Sequence, residues 1–187
     1  SGPGAWSSAG ASGAGLAGVL TAIRMKQLDI PYTVIEKNES VGGTWLENSY
    51  PDCRVDIPNH FYSYSFESND WSECYAHRDE LKAYVENCAS KFGLVPRIRF
   101  DTEVVAAAYD EDRKLWRVDV RSRDGHDEFL EANVLVSGVG MLNRPNYPDI
   151  DGLDSFEGPC FHSSRWEHER DLTGRRVGVI GTGASAM

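Results

Sequence analysis

Apolar positions near the start of the chain follow the order of a strand, a turn, a helix and a second strand. The helix is predicted over residues 16–28 and ends at Ile30-Pro31, and the run 32–35 is typical of a strand. The apolar face of this helix is formed by Leu16, Val19, Leu20, Ile23 and Leu28. Residues 5–12 occupy the place of the first parallel strand, but they are small or polar, whereas such strands are usually rich in Val and Ile. Either this strand packs loosely or the N-terminus is altered.

A second amphipathic helix and a series of strands follow a long connection over residues 37–77. The helix has one apolar face, formed by Leu81, Tyr84, Val85, Cys88 and Phe92, and Gly93 is placed to end it. Strand-like runs then fall at 98–100, 103–109, 115–120, 129–130, 133–136 and 176–180. This order predicts an α/β fold, a doubly wound Rossmann-like domain with a parallel sheet and an inserted antiparallel β-meander.

Composition excludes several classes of partner. The chain has 187 residues, 41% of them hydrophobic, and its 29 acidic and 19 basic residues give a formal net charge of −10. A field of that sign repels nucleic-acid phosphates and anionic lipid, so we expect neither nucleic acid nor a membrane as a partner. No apolar stretch approaches the roughly 20 residues of a membrane-spanning helix, and the first residues lack the pattern of a signal peptide. We therefore expect a cytoplasmic protein.

The cysteines and histidines do not form a recognisable local site. Cys53, Cys74, Cys88 and Cys160 are unevenly spaced, with no CxxC pair and no histidine at metal-ligand spacing beside them. We expect four free thiols and no metal site. No Ser/His/Asp or Cys/His arrangement typical of nucleophilic catalysis rises above background.

A glycine-rich turn, Gly13-Ala14-Gly15-Leu16-Ala17-Gly18, joins the first predicted strand to the first helix. Gly13 permits a tight bend, Gly15 lets the backbone approach a pyrophosphate, and Gly18 lets helix and sheet pack closely. The N–H groups of the helix N-terminus then face the anion. Glu36 ends the next strand, where a carboxylate can accept hydrogen bonds from an adenosine ribose. We predict a dinucleotide site here, against the plainer alternative of a turn that is merely rich in glycine.

A second turn of the same type, Gly181-Thr182-Gly183-Ala184-Ser185-Ala186, follows the apolar run at 177–180. Two such turns in one chain suggest two nucleotides that meet, as in flavoproteins that take hydride from a nicotinamide.

Two longer motifs resemble those of the type I Baeyer–Villiger flavin monooxygenases. In the first, Gly42, Gly43, Trp45, Tyr50, Pro51 and Asp56 fit the family pattern, and Asp52 departs from it. The second matches FxGxxxHxxxW at Phe156, Gly158, His162 and Trp166, and Glu167 departs from the Pro or Asp expected next. The resemblance runs from about residue 13 to 187, and the stretches 54–60 and 62–66 look closest to the 4-hydroxyacetophenone monooxygenase branch.

The resemblance implies a role for each matching residue. Asp56 is the implied catalytic residue, at the flavin edge, and His162 is expected to order a linker rather than to transfer protons. The implied cofactor contacts are Gly13, Gly15, Gly18, Glu36, Lys37, Gly43, Thr44, Trp45, Asp56, Tyr62, Val104, Gly140, Gly181, Gly183 and Ala186. The implied parts are an FAD-binding domain (1–150), a linker with the second signature (151–174), and the first strand and turn of an incomplete NADPH-binding domain (175–187).

The resemblance also implies a reaction. FAD, NADPH and O2 would serve to insert oxygen next to a ketone carbonyl, which gives an ester or a lactone. The family's catalytic arginine, its cations for the NADP 2′-phosphate and its substrate pocket are expected outside these residues, which alone are expected to be inactive. Two alternatives stay open: an N- or S-oxidising flavin monooxygenase of the same architecture, and a non-catalytic nucleotide-binding remnant. Whether the protein forms a homo-oligomer also stays open.

Overall fold

The first strand lies inside a six-stranded sheet. In the computed structural model, which describes residues 7–142 and 144–186, strand β1 (Ser7–Ser12) pairs in parallel with β2 (Tyr32–Ile35) and with β6 (Asp127–Ser137). The expected strand is therefore confirmed, although its residues 5 and 6 lie outside the described residues. Ala9 and Ala11 are 3% and 5% exposed, which argues against loose packing, because small side chains here fill a closely packed position.

The meander continues the parallel sheet. The strand order is β3-β2-β1-β6-β5-β4, where β3 (Ile98–Arg99) is parallel to β2, and β4 (Thr102–Asp110), β5 (Leu115–Ser122) and β6 form antiparallel pairs. The two runs predicted at 129–130 and 133–136 are one continuous strand. Its first half pairs with β5 and its second half with β1, and Ala132 pairs with both.

Two helices cover one side of the core. Helix α1 (Leu16–Gln27) and α3 (Arg78–Lys91) confirm the predicted helices; a short helix α2 (Thr44–Glu47) lies between them in the chain. Gly93, with φ +60°, follows the end of α3 as predicted. The prediction for Leu28 was wrong: α1 ends one residue earlier, and the Leu28 side chain is 68% exposed. Short 3-10 turns span 95–97, 153–155, 163–165 and 184–186.

The long connection between β2 and α3 is packed against the rest of the molecule. Four of its residues form a buried cluster with Leu81 of α3: Trp45, Cys53, Val55 and Ala76. All four cysteines are free thiols; Cys53 and Cys88 are buried, and Cys74 and Cys160 are exposed.

The strand predicted at 176–180 does not form. These residues have no regular secondary structure, and Val177, Val179 and Ile180 are 57–66% exposed. A strand needs neighbouring backbone groups to pair with, and none of the ladders of the described sheet includes this segment. Among the described residues, no helix has the length and apolarity that crossing a membrane requires.

Candidate nucleotide site

The first glycine turn lies where three segments meet at the carboxyl edge of the sheet. β1 lies between β2 and β6 and is parallel to both, so the carboxyl ends of all three strands meet at this edge, where open α/β sheets bind ligands. Three backbone hydrogen bonds fix the turn: Gly13 N–H donates to Ile35 O (2.8 Å), Gly138 N–H to Ser12 O (2.7 Å), and Gly42 N–H to Ala14 O (3.1 Å).

Glycine is required in this turn by close approach of the backbone. A Cβ at Gly18 would lie 1.8 Å from the Gly13 carbonyl oxygen. Gly13 has φ +95°, and a Cβ there would lie 2.6 Å from the Gly138 carbonyl oxygen. A Cβ at Gly43 would lie 2.9 Å from the Cα of Gly15. The turns at 13–18 and 42–43 therefore pack backbone to backbone.

The N-terminus of α1 begins inside this turn without a side-chain cap. Gly15 is the N-cap residue, no side chain accepts a hydrogen bond there, and the first turn carries no acidic residue. The N–H groups of a helix's first turn have no partner within the helix, and they carry the positive end of its dipole. This end of α1 is thus suited to an anion.

Glu36 lies against the turn, as its position after β2 predicts. The side chain is only 4% exposed. Its Oε2 accepts a hydrogen bond from Ala14 N–H (2.6 Å), and its Oε1 accepts two from Asn38, from the backbone N–H (2.9 Å) and the side-chain Nδ2 (2.8 Å). Sequence reasoning missed Asn38, whose only signal is a short amide side chain two positions after the carboxylate.

A cavity of about 430 Å³ adjoins this end of β2. Lys37 Nζ lies 2.9 Å from Glu47 Oε1 at its wall. Val104 is next to the lining residue Glu103, and its side chain packs on the cluster of Ile35, Val118 and Val120. The cavity is lined by Lys37, Asn38, Glu47, Asp101, Glu103, Arg121, Ser122, Arg123 and Arg165.

Thr44 and Trp45 open helix α2 directly after Gly43. Trp45 is buried and meets Tyr62 edge-on, with ring centroids 5.6 Å apart. Burial raises the pKa of Tyr62, and the charge of Asp56 adds to that rise. The structure thus brings Trp45, Tyr62 and Asp56 into one neighbourhood, in which the Asp56 carboxylate is exposed.

Gly140, in contrast, is separate from the turn. It has φ +73° and is exposed, and a Cβ there would meet nothing within 4 Å. The glycine after β6 that does contact the turn is Gly138, which sequence reasoning missed. The sequence feature that could have indicated this contact is the position of Gly138 directly after a predicted strand, at the same edge of the sheet as Gly13.

The linker signature forms local contacts of its own. His162 Nδ1 accepts a hydrogen bond from Ser164 N–H (3.1 Å) and so caps a 3-10 turn, a geometry that supports an ordering role. Trp166 meets Phe161 edge-on at 5.2 Å. Phe156 is 62% exposed, and its ring lies over Gly158, where a Cβ would be 2.7 Å away.

The second glycine turn is in contact with Tyr50. Tyr50 OH donates to Ser185 Oγ (3.1 Å), and the charge of Asp56 also acts on Tyr50, whose pKa is raised mainly by burial. Gly181 and Gly183 are exposed, with nothing within 4 Å of a Cβ at either, and Ala186 ends the chain's last 3-10 turn.

Comparison with known proteins identifies the family. A family model described as L-lysine 6-monooxygenase/L-ornithine 5-monooxygenase matches residues 58–187, and one described as an NAD(P)-binding Rossmann-like domain matches residues 13–77. Proteins named Baeyer-Villiger monooxygenase from Streptomyces coelicolor and Pseudomonas aeruginosa are 45% and 43% identical over 94% of this chain. The chain belongs to the flavin-dependent monooxygenases. It spans about a third (33%) of the length of these two relatives.

Solved monooxygenase structures share this fold. OTEMO in complex with FAD and NADP is 38% identical, with a TM-score of 0.84 over 99% of this chain and 36% of that one. Cyclohexanone monooxygenase in an open form is 34% identical, with a TM-score of 0.85 over 97% of this chain and 36% of that one. The resemblance to Baeyer–Villiger monooxygenases and the α/β fold class are thereby confirmed. The 4-hydroxyacetophenone branch stays a prediction.

Proposed function

We propose that this chain forms the FAD-binding part of an NADPH- and O2-dependent flavin monooxygenase that inserts oxygen next to a ketone carbonyl. The observation that carries the proposal is the meeting of the turn at 13–18, Gly43 and Gly138 at the uncapped N-terminus of α1, beside the buried Glu36. The names of its Baeyer-Villiger relatives support the reaction.

The residues of this site fit an adenine dinucleotide. N–H groups of the first turn of α1 would hold the pyrophosphate, and the Glu36 carboxylate would accept from the ribose hydroxyls. The cavity beside Lys37 would hold the adenosine end of FAD, and Val104 follows its lining residue Glu103 in sequence. Trp45 and Asp56 would lie at the flavin end. The exposed second turn, with Gly181, Gly183 and Ala186, would begin the NADPH site.

Bound FAD would supply the redox chemistry, accepting hydride from NADPH and activating O2 for transfer to the ketone. The protein's part is binding, orientation and exclusion of water. Trp45 and Tyr62 pack edge-on, and the charge of Asp56 acts on Tyr62. We propose Asp56 as the residue whose charge orients the reacting groups. The four free thiols support a cytoplasmic location.

The absorption spectrum of the purified chain tests FAD binding. The chain should carry a visible flavin spectrum through gel filtration, or acquire one after incubation with FAD, and the released cofactor should be FAD rather than FMN. A colourless protein that does not take up added FAD would contradict the proposal. That outcome would favour the non-catalytic remnant.

Oxidation of an amine nitrogen is the second candidate function, because the family model that matches residues 58–187 describes lysine and ornithine monooxygenases. A full-length protein that contains this chain should be supplied with NADPH and O2 and offered cyclic and aryl ketones, lysine and ornithine in parallel. Ester or lactone formed from a ketone supports our proposal. Hydroxylated lysine or ornithine without any ester would replace it.

A further inference from the structure

One side chain joins the buried carboxylate of the candidate site to a second carboxylate. Asn38 Nδ2 lies 2.8 Å from Glu36 Oε1 and 3.2 Å from Glu47 Oε1. Glu36 follows β2, and Glu47 is the last residue of α2, the helix that also carries Thr44 and Trp45. Asn38 therefore links the carboxylate after β2 to the end of helix α2.

Only an uncharged amide suits this place. A side-chain amide has two N–H donors, so one group can serve two carboxylates at once. Both neighbours of the nitrogen are acceptors, which also fixes the orientation of the amide. An aspartate here would add a third negative charge, and a hydroxyl has only one hydrogen to donate.

Asn38 itself is held from several sides. Its backbone oxygen accepts a hydrogen bond from Asp101 N–H (3.0 Å) at the start of the meander. Glu47, 13% exposed, is fixed in turn by Lys37 Nζ (2.9 Å) and by Arg165 of the linker (3.5 Å). The Asn38 backbone and one of its two carboxylate partners are thus each held by further contacts.

Glu36 depends on this donor. A buried carboxylate is costly unless hydrogen bonds satisfy it, and Asn38 supplies two of the three that Glu36 accepts. Without the side-chain amide, Oε1 keeps only the backbone N–H. The backbone N–H groups of Ala14 and Asn38 would still hold the carboxylate, but with one donor fewer its orientation toward the ribose position would be less firmly fixed.

We infer that Asn38 is a positioning residue, which holds the Glu36 carboxylate in the orientation that receives the ribose and ties it, through Glu47, to the helix at the flavin end. This inference rests on the proposed function, because it assigns Asn38 a part in binding FAD. It predicts that Asn38 acts through its amide hydrogens and not through its volume.

FAD affinity, measured by quenching of flavin fluorescence on the full chain, tests the inference. At pH 8, Asn38→Ala should weaken FAD binding about tenfold, the effect of one lost charge-assisted hydrogen bond. Asn38→Asp should weaken it more, because its carboxylate lies among Glu36 and Glu47, with Lys37 and Arg165 as the nearby cations. Asn146→Asp, which adds the same charge at an exposed loop position, should bind FAD like the wild type.

The pH profile separates positioning from a merely structural role. Adjacent carboxylates raise the pKa of one of them, and below that pKa the shared proton restores a donor. The affinity of Asn38→Asp relative to wild type should therefore recover between about pH 8 and 5, while that of Asn38→Ala stays at a constant ratio. Equal affinity of wild type and Asn38→Ala would overturn the inference, as would a folded Asn38→Asp with no such recovery. If the wild type binds no FAD, the proposed function fails instead.

Discussion

The two glycine turns have nearly the same sequence pattern and very different surroundings. The turn at 13–18 is enclosed by β1, β2 and β6, and methyl groups at Gly13 and Gly18 would overlap backbone atoms. The turn at 181–186 follows no strand, and nothing lies within 4 Å of a Cβ at Gly181 or Gly183. Close packing at the sheet edge therefore requires glycine in the first turn, and the described residues impose no such requirement on the second.

The largest effect is expected at Asp56, whose charge acts on both Tyr50 and Tyr62. In a full-length enzyme that contains this chain, Asp56→Ala should leave FAD bound and lower the rate of ester formation about 100-fold or more, because a charge placed at the reacting groups is lost. Steady-state oxidation of a ketone measures this. Asp70→Ala, at another exposed position, should leave the rate unchanged, and an unaltered rate in Asp56→Ala would remove the proposed catalytic role.

Replacing one glycine in each turn by alanine tests whether the two turns are packed differently. Gly18→Ala should lower the free energy of unfolding by about 3 kcal/mol, because the backbone must move to admit the methyl group. Gly183→Ala should change it by less than about 0.5 kcal/mol, because its surroundings are open. Urea denaturation of both variants measures the difference. Similar costs in the two would mean that the turns are not packed differently.

A variant of Glu36 tests whether the carboxylate beside the turn at 13–18 takes part in FAD binding. Glu36→Gln keeps the size of the side chain but loses the charge, so FAD should bind about tenfold more weakly. Glu111→Gln, at an exposed position in the turn between β4 and β5, is the matched control and should retain wild-type affinity. Calorimetric titration with FAD gives both constants. Wild-type affinity in Glu36→Gln would show that this carboxylate does not contact the ribose.

Tyr50 joins the two regions through one hydrogen bond to Ser185. Tyr50→Phe should speed hydrogen exchange at the Ala186 amide, which closes the last 3-10 turn, by up to about tenfold, since one hydrogen bond contributes about 1 kcal/mol. Exchange at the Val19 amide in α1 should not change. Equal acceleration at both amides would show that the two turns are not independent.

The smallest expected effect is on the free energy of unfolding at acidic pH. Hydrogen bonding to Arg99 lowers the pKa of Glu128 from its ordinary 4.5. A carboxylate with a lowered pKa in the folded state stabilises the protein above the unfolded pKa, and that contribution is lost as the pH falls through the folded one. Unfolding free energy should therefore drop below about pH 4.5, by only about 0.5 kcal/mol for this partly exposed pair. Glu128→Gln should flatten that slope, and an unchanged slope would exclude the pair as its source.

The sequence predicted the elements well where burial is periodic. Both long helices follow from apolar spacing, because each buries one face against the core. β1, whose residues are small or polar, follows instead from its place before the glycine turn. The strand at 176–180 fails for the converse reason. Its apolar residues have no neighbouring strand among the described ladders, and no local pattern supplies one.

The candidate site was predictable where the chain itself carries the spacing. Gly13, Gly18 and Glu36 follow from a strand–turn–helix–strand unit. Asn38 and Gly138 did not, because their roles depend on how distant segments meet. Glu47 lies nine positions from Asn38, and Gly138 lies at the end of a strand that reaches β1 only after the meander.

The most direct test of the account is a crystal structure of this chain with FAD. The pyrophosphate should lie at the N-terminus of α1, within hydrogen-bond distance of its first backbone N–H groups, and the Glu36 carboxylate should contact the ribose. FAD bound away from this turn, or a ribose that does not touch Glu36, would contradict it.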